Sequence, residues 1–364
     1  MNILRYKHQC PPRLAVAIRP SNRRATHLWI KMVISTVLGT SEYSQKPRKT
    51  YTKRPLSYSE QIKLLKSRGM LFEDNDNTQN LIEHINYYRL EAYWFTYYDR
   101  DKQEHYFLPD TTFSNIWRDY RFDRKFRSLI LQGLERIEIS FRTQFTYFLS
   151  HHYGSFPLKK ENFIFSKQSW DENIENLKTI CLTSKEQFAI HLRETYSCEI
   201  FPVWAITELM SFGKVSLFYK NIKDQSLQKS ISRKYGIQPE ILISWLYHLS
   251  NVRNYCAHHA RLWNRRFVYT PKEALSIRND IKTRWISLPK NPEEDDPRNE
   301  RRIFNTILII DYLLSNICNK YNWKNELVEL ISKYQIDEKR MGFPDNWRND
   351  SFWVEQEVKE PQLS

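Results

Sequence analysis

An arginine, an asparagine and two histidines fall within seven residues in the stretch Arg253-Asn254-Tyr255-Cys256-Ala257-His258-His259. A permanently charged fork, a polar neighbour and a base that titrates near neutral pH are the parts needed to hold a phosphate and move a proton beside it. The surrounding residues are patterned as a helix that Pro239 opens and that runs to near Phe267. On a wheel at about 100° per residue with Arg253 at 0°, Arg261 falls near 80°, Asn254 near 100°, Arg265 and Tyr247 near 120° and His258 near 140°. Leu249, Val252, Tyr255, Cys256, Leu262 and Trp263 take the opposite arc, and His259 lands among them, where it would pack inward and donate one hydrogen bond. The expected polar face therefore carries Arg253, Asn254, His258, Arg261 and Arg265 with no acid on it.

Such a face suits a phosphate, because arginine gives planar, bidentate contacts. Clustered arginines would also disfavour a charged imidazole and leave His258 able to accept a proton. Those are the requirements for attack of an RNA 2′-hydroxyl on the adjacent phosphate. A solvated basic helix face has the same residue content, so the pattern alone leaves that reading open. A metal centre is not indicated: Cys256, His258 and His259 are too close in sequence and point too differently to share one ion. There is no HExxH, Walker A, GxGxxG or G-x-S-x-G motif, and no cofactor is expected.

The elements that must position these residues are helical. Seven glycines in 364 residues, with long runs free of proline, argue for helices over a turn-rich β fold. The longest pattern runs from Phe113 to Ser150, with Phe126, Ile130, Ile137, Phe141, Phe145 and Phe148 on one arc. Glu135, Glu138 and Arg142 cluster at the edge of that arc. They read either as a surface ion pair at i, i+4 or as a partly buried carboxylate pair that orients groups on a neighbouring helix. His151-His152 before Gly154 reads as a helix C-terminal cap. Asn80 to Tyr98 reads as one helix whose second half is crowded with aromatics. These form a core seam or, beside Arg89, a surface on which unpaired bases stack. Ser57 or Ser59 can cap a helix that Gly69 stops, and Pro202 to Gly213 reads as another helix. Arg301 to Lys320 and Asn325 to Tyr334 are helical in pattern, and the residues from Pro344 are a tryptophan-rich tail.

The net charge of +14 invites a nucleic-acid reading, but its distribution weakens it. Residues 1–54 hold twelve Lys or Arg and one acid, Glu42, which leaves +3 for the remaining 310 residues. A local patch, not the global charge, has to carry any claim on RNA. Cys10, Cys181, Cys198, Cys256 and Cys318 are scattered without a CxxC pair, as expected of reduced thiols in a cytoplasmic protein. Leu28 to Leu38 is too short an apolar run to span a bilayer. Residues 1–50 read as a basic extension, or as sequence ahead of a true start at Met32 or later.

The segment Asn251-Val-Arg-Asn-Tyr-Cys-Ala-His-His-Ala-Arg-Leu-Trp-Asn-Arg265 resembles the C-terminal signature of the bacterial Abi-like (AbiD/AbiF) abortive-infection proteins, of the HEPN superfamily of helical ribonucleases. Pro55–Gly69, Ile85–Leu90, Leu134–Arg142 with His151–Gly154, and Pro202–Trp204 through Phe212-Gly213 fit in the same order, so the resemblance covers residues 53–340. It implies an all-α, multi-helix HEPN-like bundle with an N-terminal helical extension. The expected divisions are 1–50 (extension), 51–112 (N-terminal helical subdomain), 113–340 (core) and 341–364 (tail). It further implies a metal-independent endoribonuclease toxin of phage defence. His258 would transfer protons at the 2′-hydroxyl, Arg253 with Asn254 would hold the scissile phosphate, and Glu138 or Glu135 with Arg142 and His259 would support them. Arg261, Arg265, Tyr247 and Arg89 would touch RNA. The expected partners are an RNA substrate, a second copy of the chain and a small restraining RNA. A non-catalytic RNA-binding module and a helical protein–protein adaptor are the competing readings.

Overall fold

A computed structural model describes residues 50–73, 78–102, 105–274, 279–287, 301–318 and 321–353. The basic extension and the final residues of the tail lie outside this set. The fold is all-α: among the described residues there is no strand, only isolated bridges between Tyr98 and Phe107 and between Phe163 and Ile222. No helix of the described residues is long and apolar enough to cross a membrane.

The chain divides into two compact units. The first comprises the described residues up to Tyr87 together with Phe95–Thr111, and the second comprises Tyr88–Trp94 and the described residues from Thr112 onward. The subdomain expected over 51–112 therefore yields its middle, Tyr88–Trp94, to the larger unit. In the first unit, α1 (Tyr58–Ser67) begins at a capping box: the Glu60 amide donates to Ser57 Oγ and the Ser57 amide donates to the Glu60 carboxylate. Gly69 follows its C-cap at φ +93°, a conformation that favours glycine. The single helix expected over 80–98 is instead α2 (Thr78–His84), a break at Ile85-Asn86, α3 (Tyr87–Trp94) and a 3₁₀ turn over Phe95–Tyr97. An asparagine side chain competes for backbone hydrogen bonds, which suits it to such a break.

The larger unit is built on α4 (Phe113–Tyr153), with Thr112 as N-cap and Gly154 beyond its end. Phe126, Ile130, Ile137, Phe141 and Phe145 are buried as their spacing requires, and burial of each such side chain is worth roughly 1.5–3 kcal/mol. His151 Nδ1 lies 2.8 Å from the Tyr147 carbonyl, the capping role expected of it. α5 (Lys167–Thr183) and α6 (Gln187–Thr195) follow. The helix expected over 202–213 is α7 (Val203–Leu209). Met210 then turns extended, and Ser211 caps α8 (Phe212–Lys220) by accepting from the Lys214 amide at 3.3 Å. Gly213 thus lies inside a helix and does not stop one. Next come α9 (Gln225–Arg233), α10 (Pro239–Ala257), a short α11 (Asn279–Lys282), α12 (Phe304–Ile317) and α13 (Trp323–Tyr334). α4 packs against α7, α9, α10, α12 and α13, and α10 also packs against α8. At Gly133 a Cβ would stand 2.8 Å from Ile310 Cγ2, so the glycine permits the close approach of α4 to α12. Phe343 and Trp353, from the region read as a tail, are buried beside Phe304, and Trp347 is buried against those two.

Candidate functional site

α10 carries the opening motif. Pro239 occupies its first turn, and Leu242, Trp245, Leu246, Leu249, Val252 and Cys256 are buried. Burial pushes the Cys256 thiol up to about 12, so it is an inert apolar side chain here. His248 shares the buried face. The Tyr269 carbonyl can only accept, so Nδ1 carries the proton (3.0 Å) and Nε2 accepts from the Thr306 hydroxyl (2.8 Å). On the outward side Tyr247 and Asn254 are exposed and Arg253 is half-exposed.

The helix does not run to Phe267. It stops at Ala257, with His258 as C-cap and His259 in the left-handed region at φ 57°. The His259 amide donates to the Cys256 carbonyl (3.0 Å) and the Ala260 amide to the Tyr255 carbonyl (2.9 Å). These are the paired bonds of a Schellman motif, with a histidine at the position that glycine usually holds. Three corrections follow, since a wheel has no meaning past the reversal. His259 is exposed and does not pack inward; its backbone, not its ring, is structural. Arg265 lies over the Tyr255 ring (4.2 Å) and donates to the Arg261 carbonyl (2.5 Å), on the arc assigned opposite to Arg253. Arg261 is drawn inward, where burial lowers its guanidinium to about 10. The cationic face of five reduces to Arg253, Asn254 and the exposed His258.

Beneath the reversal lies a cluster that sequence reasoning missed. Asp123 of α4 is fully buried and accepts from the amides of Leu262 (3.1 Å) and Trp263 (2.6 Å) and from the Tyr93 hydroxyl (2.6 Å), and it pairs with Arg127 one turn on. Burial pushes the Asp123 carboxyl upward, and Arg127, Tyr93 and the two amides oppose that by stabilising the anion. From α3, Arg89 donates to the His259 carbonyl at 2.7 Å. Arg89, expected to touch RNA, is exposed and also ties α3 to the histidine turn. The available signal was a carboxylate on the apolar arc of α4 with an arginine four residues later.

Glu138 joins two helices at the other side of α10. Its Oε1 accepts from Arg142 (2.5 Å), and its Oε2 stands 3.7 Å from Arg253 Nε. Arg142 is itself buried and donates to the carbonyls of Thr207 and Met210 (2.7 Å to the latter), so it closes the end of α7. Of the two i, i+4 readings, the partly buried carboxylate that meets a neighbouring helix describes Glu138. Glu135 is exposed and stands in electrostatic reach of Tyr321 instead. The Glu138 contact uses Arg253 Nε. Its two terminal nitrogens, the fork that takes a phosphate end-on, make no hydrogen bond among the described residues. Five residues along a helix separate Arg253 from His258 by about 7.5 Å of rise. Tyr247 meets Tyr269 edge-on (5.4 Å) further up the same outward side. Among the described residues, no group of three His, Cys, Asp or Glu is placed to hold a metal ion.

No curated protein and no solved structure matches this chain. A family model described as Abi-like protein matches residues 80–264, half of the chain, from α2 through α4 and α10 to the turn that follows the histidines.

Proposed function

Because this chain belongs to the Abi-like protein family, whose role is phage defence by abortive infection, we propose that it acts there as a metal-independent, HEPN-type endoribonuclease. The observation that carries the reading is the Glu138–Arg253 pair next to exposed Asn254 and His258 at one end of α10. Glu138 stands beside the guanidinium at Nε, 3.7 Å away, and the terminal nitrogens keep their protons for an incoming scissile phosphate. His258, on the cap, accepts the 2′-hydroxyl proton as the 2′-oxygen attacks phosphorus; the bond from phosphorus to the 5′-oxygen breaks, that oxygen takes a proton from solvent, and a 2′,3′-cyclic phosphate and a 5′-hydroxyl end result. Arg253 and His258 lie about 140° apart on the helix. Pairing two copies so that the Arg253 of one faces the His258 of the other relaxes that geometry, so the active form is a homodimer. The protein works in the cytoplasm, where its RNA is, and a small RNA is the natural restraint on a toxic nuclease.

Sequencing of RNA ends after brief induction tests this. Wild type should generate new 5′-hydroxyl ends and arrest growth, and His258→Ala and Arg253→Ala should do neither while folding normally. Equal toxicity and equal ends from wild type and His258→Ala would overturn the assignment. Binding of RNA that survives His258→Ala, with no cleavage by the parent, would establish the non-catalytic module in its place.

A further inference from the structure

We propose that the groove between α4 and α7 is a nucleobase subsite, in which Trp204 and Tyr147 stack on an unpaired base of bound RNA; this rests on the ribonuclease reading. Trp204 and Tyr147 are 49% and 52% exposed, and with Thr143, Thr146, Ser150 and Glu208 they line one open cleft of about 330 Å³. A base offers each ring a flat partner, and stacking of this kind tolerates sequence because every base has a π-face.

The polar lining says which part of a nucleotide enters. None of the six residues is cationic, and Glu208 would repel a phosphate, so the base goes in and the backbone stays out. Thr143 Oγ donates to the Ile139 carbonyl (2.9 Å) and Ser150 Oγ to the Tyr147 carbonyl (3.0 Å). Their protons are used, so they offer the groove lone pairs, as Glu208 does. At this rim Glu208 and the two committed hydroxyls accept from amino groups: the exocyclic amines of cytosine, adenine and guanine suit them, and uracil, which has none, offers them only its ring N3–H. The same rim would meet an apolar helix of a second copy badly.

The groove is also registered to the candidate active site. Arg142 ties α4 to the Thr207 and Met210 carbonyls at the end of α7, and the same guanidinium holds Glu138, which meets Arg253. Tyr147 lies nine residues beyond Glu138 on α4, about 14 Å along the axis. That is the length of four nucleotides stacked at roughly 3.4 Å, fewer in an extended strand. The stacked base is therefore a near neighbour of the scissile phosphate.

The test uses the full chain carrying His258→Ala, so that RNA is bound and not cut. Fluorescence anisotropy with labelled oligo(rC) and oligo(rU) is read together with sedimentation velocity on each variant. Adding Trp204→Ala should weaken oligo(rC) binding about tenfold, and Trp204→Phe should restore most of it. Glu208→Gln should remove the preference for oligo(rC) over oligo(rU) without touching the rings. Unchanged affinity in Trp204→Ala, with wild type still cleaving RNA, would overturn the subsite and leave the nuclease standing. A changed sedimentation coefficient in Trp204→Ala would make the groove an interface between copies and overturn it equally. Absence of RNA binding by His258→Ala and of cleavage by wild type would remove both readings. Should Trp204→Ala fold poorly, the base preference of Glu208→Gln decides.

Discussion

Two arginine–carboxylate pairs at i, i+4 lie on α4, and they are built for opposite ends. Asp123–Arg127 is sealed in the core, and the carboxylate spends its lone pairs on a tyrosine hydroxyl and the amides of Leu262 and Trp263. Glu138–Arg142 lies nearer the surface, and Glu138 reaches on to a second, half-exposed arginine at 3.7 Å. The carboxylate of the first has no lone pair left over and holds a turn in place. The second leaves the Arg253 fork unused, which costs stability little and leaves it available to an anion. A buried carboxylate with every lone pair committed is a fastening; a shared pair at the rim leaves an arginine with donors to spare.

Removing one partner from each pair should separate the two roles. Asp123→Ala strands the Arg127 charge and two backbone amides in the core, a loss of about 3–5 kcal/mol. Arg253→Ala removes a contact that solvent already screens, with a loss within about 1 kcal/mol. Urea midpoints measured on both variants check this, and Arg253→Ala should be the inactive one of the pair when each is assayed folded. Similar midpoints for the two would break the contrast. The double substitution Asp123→Leu with Arg127→Met should recover only part of the loss, because the Leu262 and Trp263 amides still lack an acceptor.

The histidines of α10 repeat the contrast. His258 is exposed on the cap, and His248 is fully buried between the Tyr269 carbonyl and the Thr306 hydroxyl. Burial pushes His248 down from its ordinary 6.5 to about 4. The unfolded chain therefore takes up a proton below about 6.5 that the folded chain refuses until about 4. Stability is held above 6.5 and declines as pH falls through that window, by roughly 3 kcal/mol in all. Denaturation midpoints between pH 7 and 4 measure it. His248→Asn should flatten this component from a lower starting stability, and His258→Ala should leave it in place.

How much of this the sequence disclosed follows the same division between inside and outside. Period and caps located the helices, because Ser57, Pro239 and the arc of α4 act within a few residues of chain. The pairing of Glu138 with a neighbouring helix was one of two readings open for a carboxylate at the edge of an apolar arc, and the other, the ion pair to Arg142, holds as well. The Asp123 cluster was not, because its partners are 139 and 140 residues away and a wheel sees one helix at a time. The misplacement of Arg261, Arg265 and His259 has a different cause. Helical spacing was carried past a reversal that contains no glycine or proline, the residues that normally announce one.

That missing glycine is the smallest and sharpest way to probe the turn. His259 sits at φ 57°, where a side chain costs energy that glycine does not incur, and its ring is exposed. Its backbone already makes the bonds of the motif, from its own amide to Cys256 and from its carbonyl to Arg89. His259→Gly keeps both, so folded-state strain falls while the unfolded chain gains freedom. The two effects nearly cancel, and the denaturation midpoint should move by no more than about 1 kcal/mol. His259→Val, β-branched and poorly suited to positive φ, should lose more than that. If the imidazole of His259 serves only the fold, His259→Gly also retains RNA cleavage while His258→Ala loses it. Loss of cleavage in a fully stable His259→Gly protein would move the second histidine from the turn into the chemistry.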